Sequence, residues 1–413
     1  MPRQHPTTVL SYGLGVDSTA ILLRWLKEPS SRDFKLDDLV VITAMTGHEF
    51  EGTGALVTEH ILPKLARTNV RFVQLARGGL LQAGGVTVLG DSRHPTTLCL
   101  DGDYTLLEEL EQGRTVPQYA SGRRRCSQKY KGWVIDTWLK RELGDTTTFA
   151  HAMGYATGEE KRADKDRRFT TEQRHPFYPL LEWGWDRQAC LDYIEQITGV
   201  THWPKSCCFF CPFSGGRAAH IARLATKPTL AVEALVLEYM SLAFNPRQQL
   251  FATGTSLEQT LLDAGHQHLI DARDAQLGAL DWQLYEVKRL WRSKASCMRS
   301  IRVLSDTGSK AWALEQLDQA ELAQPELEPG QRMQEHPRHR RVWRRKEDHE
   351  TYPKLEAFLL AAPARYGAGK PRLGEKARGR FEAHWLAALE GSTEMSGRHE
   401  RLAAGEQLLP GLG

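Results

Sequence analysis

The chain has 413 residues, 41% of them hydrophobic and 25% charged, ordinary values for a protein with room for more than one core. Its net charge of +3 is close to balance, so a nucleic-acid partner would have to be met by a local basic patch rather than by the whole surface. No apolar run approaches the roughly 20 residues that span a bilayer, residues 1–6 lack the core of a signal peptide, and the odd count of seven cysteines, three of them within residues 207–211, argues against a disulfide framework and for a reducing cytoplasm with a metal or redox site.

In chain order, residues 8–11 form a short apolar run that ends in a Ser/Gly-rich turn, and a helical pattern follows over 19–26. Further strand-like runs lie at 39–44, 70–75 and 149–153, with helical patterns at 54–65 and 131–142. Strand and helix alternating in this way predict an α/β fold, a doubly wound parallel sheet whose ligands sit beyond the strand C-termini. The Gly-rich stretch 76–118 reads as irregular, a lid or specificity insertion. Helices are predicted over 186–197, 216–225, 229–243 and 280–291, the last with its Trp and Tyr residues packed in a core. Pro, Gly, Glu and Gln at 323–335 read as a linker, the run 338–346 is strongly basic, and two short helices are expected over 352–360 and 381–389. The resulting domain plan is a nucleotide-binding domain with the cysteine cluster at 1–216, a helical domain at 217–322, a linker at 323–336 and a basic segment at 337–413.

The first turn carries the chemistry. Glycines let a backbone approach an anion, and the first amides of a helix point at it with the positive end of the helix dipole. Asp17 and Ser18 are suited to cap that helix. No Gly-Lys-Ser/Thr follows the glycines, so the loop is not a Walker A sequence. Gly15-Val16-Asp17-Ser18-Thr19, with Ser11 and Gly13 upstream, resembles the pyrophosphate loop of the adenine-nucleotide α-hydrolases, the PP-loop ATP pyrophosphatases and PAPS reductases.

Four later segments are similar to the PAPS-reductase branch, in its order. Thr46-Gly47-His48-Glu49, followed by Thr53, resembles its Thr-Gly-x-Glu turn, with Met45 where the relatives often have Asp. Arg123-Arg124-Arg125-Cys126, leading to Lys129 and Lys131, resembles an Arg-Cys-x-x-x-x-Lys segment. Gly154 with Glu159 and Arg162 matches a Gly-x-x-x-x-Glu-x-x-Arg element. Pro179-Leu180 and Trp183, then Cys208-Phe209-Phe210-Cys211-Pro212, resemble a Pro-Leu-x-x-Trp strand end and a Cys-x-x-Cys-Pro turn.

The resemblance implies a HUP-like nucleotide-binding fold with a helical C-terminal extension. It implies ATP and Mg²⁺ held by Ser11, Gly13, Gly15, Asp17, Ser18, Thr19, Gly47, Glu49 and Gly154, with Lys131, Glu159 and Arg162 in catalytic roles. Cys126, Cys207, Cys208 and Cys211 would hold a [4Fe–4S] cluster or, alternatively, Zn²⁺, for which His202 is a further candidate ligand. The implied reaction cleaves ATP between the α and β phosphates and adenylylates an acceptor. Sulfur then displaces AMP, the acceptor being DNA or tRNA and the donor a cysteine desulfurase. A sulfonucleotide reductase is the alternative enzyme, although its relatives use a C-terminal cysteine and this chain has none after Cys297. The non-enzymatic alternative is a nucleotide- or nucleic-acid-binding component of a defence or modification complex. Cys99, Cys190 and Cys297 read as structural.

Overall fold

A computed structural model describes residues 7–117, 124–252, 254–294, 296–322, 334–336, 339–344, 351–364 and 375–389. The chain divides into two compact units: Met1–Leu110, Pro117–Ala234 and Leu250–Thr255 make the first, and Glu111–Val116, Leu235–Gln249 and Ser256–Gly413 the second.

The first unit is a mixed α/β structure. In chain order it contains β1 (Thr7–Ser11), α1 (Val16–Lys27), β2 (Leu39–Met45), α2 (Glu51–His60), α3 (Leu62–Arg67), β3 (Arg71–Arg77), β4 (Val86–Ser92) and α4 (Leu106–Gly113), whose last turn belongs to the second unit. After α5 (Arg125–Ser127) a π-helical turn, Gln128–Gly132, runs into α6 (Trp133–Leu143). Then come β5 (Phe149–Ala152), α7 (Glu160–Arg167), β6 (Arg174–Phe177), α8 (Pro179–Glu182), α9 (Arg187–Thr198) and α10 (Arg217–Ala225). The sheet order is β4-β3-β2-β1-β5-β6. All neighbours are parallel except the β3–β4 pair.

Side-chain alternation along the strands explains the layers. Leu10, Val41 and Phe72 join α1, α3 and α9 in one core, while the residues next to them, Val9, Ile42 and Val73, pack with Val134, Trp138 and Leu139 of α6 in another. A strand buried on both faces reads as a continuous apolar run, and β2, Leu-Val-Val-Ile-Thr-Ala-Met, does so. Strand order reverses between β1 and β5, and that switch point is where open α/β sheets bind ligands. The stretch 76–118 is more regular than its glycines suggest. It supplies the antiparallel edge strand β4 and the helix α4.

The second unit corrects the sequence reading more strongly. Its helices are the end of α11 (Pro228–Phe244), α12 (Leu257–Asp263), α13 (Gln267–Ala279), α14 (Lys310–Leu322) and α15 (Glu375–Leu389). The expected helix at 280–291 is instead β7 (Trp282–Ser293), paired with β8 (Ser296–Val303), and the expected helix at 352–360 is β11 (Lys354–Pro363). With β9 (Gln334–His336) and β10 (Arg340–Arg344) they form an antiparallel sheet in the order β8-β7-β11-β10-β9. The error has a physical origin. β7 buries residues on both faces, so Trp282, Tyr285, Val287 and Leu290 fall at near-helical spacing. The basic run 338–346 is no free tail where it is described. Arg340 is 2% exposed, and Arg341 donates to Asp318 at 2.8 Å. Residues 323–333 of the expected linker lie outside the described residues.

Candidate nucleotide site

The turn after β1 is built on one left-handed residue. Leu14 has φ 64°, its side chain is buried, and its carbonyl accepts the indole N–H of Trp203 at 3.1 Å. Such a conformation in a non-glycine residue persists only where the surroundings enforce it, and it is most frequent at functional sites. Helix α1 is capped by Gly15 with no side-chain cap. Asp17 and Ser18 are therefore inside the first turn, not at the cap as the sequence suggested. Ser18 Oγ instead accepts the Gly13 amide at 3.2 Å and donates to the Gly15 carbonyl at 3.4 Å. This folds the loop back on the helix start, where the first amides have no partner within the helix.

Ser11, the last residue of β1, belongs to a chain of polar groups that sequence reasoning missed. Asp166 accepts two bonds from the Arg174 guanidinium at 3.0 Å, and Arg174 Nε donates to Nδ1 of His151 at 2.8 Å. The His151 proton therefore sits on Nε2, which lies 2.8 Å from Ser11 Oγ. Burial, aided by the Arg174 charge, holds the His151 pKa down to about 3. A neutral imidazole with Nδ1 occupied and Nε2–H aimed at the hydroxyl cannot act as a base toward Ser11. In this arrangement His151 donates to the Ser11 hydroxyl rather than accepting its proton.

Separate segments close on this loop. A Cβ at Gly154, just beyond β5, would lie 3.1 Å from the Ser18 amide and 3.3 Å from Asp17 Cβ. A Cβ at Gly15 would lie 3.4 Å from the Ser206 amide, in the loop that carries the cysteines. Gly47 has φ +92°, and a Cβ there would be 2.4 Å from Thr105. These spacings make Gly154 and Gly47 packing residues, which the motif comparison could not reveal. Around Asp17 stand Arg187 at 3.7 Å and the charges of Glu159, Arg162 and Lys205. Burial raises the Asp17 pKa, Arg187 opposes the rise, and Oδ1 is buried without a hydrogen bond. Glu159 and Arg162 pair with each other, and Arg162 lies over the Tyr155 ring at 4.6 Å. Thr19 is inward, hydrogen-bonded to Tyr12.

Glu49 and Lys131 meet as a partly buried ion pair. Lys131 Nζ, from the π turn, donates to Glu49 Oε1 at 3.0 Å, and Ser206 Oγ donates to Oε2 at 2.9 Å. The carboxylate side chain is 1% exposed and the lysine side chain 30%. Burial alone would lower the Lys131 pKa, but Glu49, with Cys208 and Cys211, reverses this and raises it. An interrupted, π-helical turn is a frequent companion of functional positions. Here it sets Lys129 against Glu109 and Lys131 against Glu49.

The cysteines come from two segments and face different partners. Cys207 Sγ accepts from Arg223 Nη1 at 3.0 Å, and Cys208 Sγ lies 3.0 Å from Thr46 Oγ1. Burial raises all four thiol pKa values, that of Cys211 to about 12, although Arg223 beside Cys207 opposes the rise there. Among the described residues, no three His, Cys, Asp or Glu side chains converge as a metal site. Cys207 and Cys208 present their sulfurs to different groups, while Cys211 feels the charges of both Cys207 and Cys126. His202 is exposed, Arg123 lies outside the described residues, and Cys190 is buried in the core beneath α1. Lys205, Ser206, Arg187 and Arg223 were not singled out from the sequence, because each is an ordinary polar residue between motifs.

Compared with family models, curated proteins and solved structures, the chain finds no match. Among the described residues, no helix is long and apolar enough to cross a membrane.

Proposed function

We propose that the loop after β1 binds the phosphates of ATP and that the chain cleaves ATP between the α and β phosphates, adenylylating an acceptor to which sulfur is then transferred. The observation that carries this reading is convergence. Gly154 from the turn after β5, Ser206 from the cysteine loop and Arg187 from α9 all approach the same helix start at the sheet's switch point. Arg162, Arg187 and Lys205 supply positive charge where pyrophosphate would depart. Asp17 is the carboxylate that would hold Mg²⁺, which neutralises phosphate charge when bound.

In this reading Glu49 and Lys131 position rather than transfer protons. The pair ties the Gly47 turn to the π turn, and Ser206 ties both to the cysteine loop. The thiols are the proposed seat of sulfur chemistry, with Cys207 beside the Arg223 guanidinium. No three of the described His, Cys, Asp or Glu side chains converge as a metal site, and no step of this reading runs through iron or zinc. The acceptor class proposed is nucleic acid, DNA or tRNA, with a cysteine desulfurase as donor.

The test is release of AMP and pyrophosphate from ATP by the whole chain with nucleic acid and sulfide present. The reading requires both products, and their loss in Ser18→Ala and Asp17→Asn. Binding of ATP without either product would favour a nucleotide-responsive binding component, and thioredoxin-dependent sulfite release from PAPS would favour a reductase.

A further inference from the structure

One face of the first unit's sheet carries a polar row beside an apolar core. Strand registers set His151 of β5 opposite Val9 of β1 and Pro176 of β6. Ser11 follows Val9 by two residues and Arg174 precedes Pro176 by two, so Ser11, His151 and Arg174 share one face. That face also carries Val9, Ile42, Val73 and Phe149, packed with residues of α6. His151 is 3% exposed, and its ring lies 5.9 Å from that of Phe149.

Every bond along the row has a direction. Tyr178 Oη donates to Asp166 Oδ2 at 3.0 Å, beside the two bonds from Arg174. Arg174 Nε donates to His151 Nδ1, which leaves the imidazole hydrogen on Nε2 and makes that atom the donor to Ser11 Oγ. The Ser11 hydrogen therefore points away from the imidazole, and among the described residues it has no acceptor. For folding alone such a row is no gain, because apolar side chains of similar volume serve as well in a core. What it supplies is a hydroxyl of fixed orientation, two residues before Gly13, whose amide is held by Ser18.

We propose that His151 is a positioning residue for the loop after β1: anchored through Arg174 to Asp166, it fixes the Ser11 hydroxyl as a donor to a phosphate oxygen of the bound nucleotide. The proposal rests on the reading of that loop as a phosphate site. An ionised phosphate oxygen is an acceptor that carries no hydrogen, so it matches the one hydrogen the row leaves over. A hydroxyl already held in place also loses less freedom when the ligand arrives. His151 itself touches no ligand; it acts through Ser11.

Four whole-chain proteins decide it: the parent, Ser11→Ala, His151→Leu and the double variant, each titrated with ATP. Ser11→Ala and His151→Leu should each weaken ATP binding about tenfold. The double variant should bind as Ser11→Ala does, since a residue that acts only through Ser11 has nothing left to position. His151→Gln, whose amide can accept from Arg174 and donate to Ser11, should keep most of the parent's affinity. Should His151→Leu fail to fold, nitrogen NMR of labelled histidine in the parent replaces it, with His151→Gln to assign the signal. His151 should read as the Nε2–H tautomer, and its signal should move on ATP addition only while Ser11 is present. Losses that multiply in the double variant, or an Nδ1–H tautomer, overturn the positioning role and leave ATP binding at the loop intact. A parent that binds no ATP overturns the reading of the loop, and the role of His151 with it.

Discussion

At Gly47 two constraints coincide, a φ of +92° and a neighbour, Thr105 Cγ2, 2.4 Å from any added Cβ. Gly47→Ala should cost roughly 2–4 kcal/mol, since left-handed strain and overpacking add, and urea denaturation measures it. His151 makes a different prediction. Its folded pKa of about 3 lies below its ordinary 6.5, so the unfolded chain takes up the proton first as pH falls. The associated stability is complete above about pH 6.5 and declines between there and pH 3. At pH 5 the loss from this one group is about 2 kcal/mol. His220, held down to about 4 chiefly by burial, acts in the same sense. Denaturation midpoints at pH 7.5 and 5 should converge more closely in His151→Gln than in the parent; an unchanged gap would refute the assignment.

The π turn and the Gly47 turn are joined through the pair of Lys131 and Glu49, so their roles can be separated by stability and by turnover. Lys131→Met strands a carboxylate that is 1% exposed. The expected cost is about 3 kcal/mol, the low end of the range for broken buried pairs because the lysine side chain is partly accessible. Adding Glu49→Gln should restore much of that stability but not the ATP cleavage, if the pair positions the cysteine loop through Ser206. Element by element, legibility followed local chemistry. The β1 turn and α1 were readable because glycines, a short apolar run and helical spacing coincide within a few residues. β2 was readable because a strand buried on both faces is almost continuously apolar, and β3 and β5 because short apolar runs lie between helical patterns. β7 and β11 were not, since their apolar spacing suits a helix as well as a strand, and only pairing across the sheet decides. Within the site, Ser11 and Ser18 were visible as motif residues. His151, Arg174 and Ser206 act through contacts between segments far apart in sequence, which spacing cannot encode.

On the scale of the whole molecule, a net charge of +3 conceals uneven placement. Cations gather around Asp17 in the first unit, and Arg289 stands opposite Arg299 in the sheet of the second. Under the proposed function a nearly neutral protein holds ATP by a local cluster of charges, so ATP binding should weaken only modestly with salt. The cysteines give the sharpest whole-chain readout. Cys207 is engaged by Arg223, Cys208 by Thr46, and burial keeps the thiols protonated near neutrality. Protein purified without oxygen should therefore be colourless, with substoichiometric iron and zinc, and its thiols should alkylate faster as pH rises above 9. A brown protein with about four irons per chain would overturn this arrangement. It would mean that Cys207 leaves Arg223 and Cys208 leaves Thr46, and that the turn carrying Glu49, bridged to Cys208, moves with them.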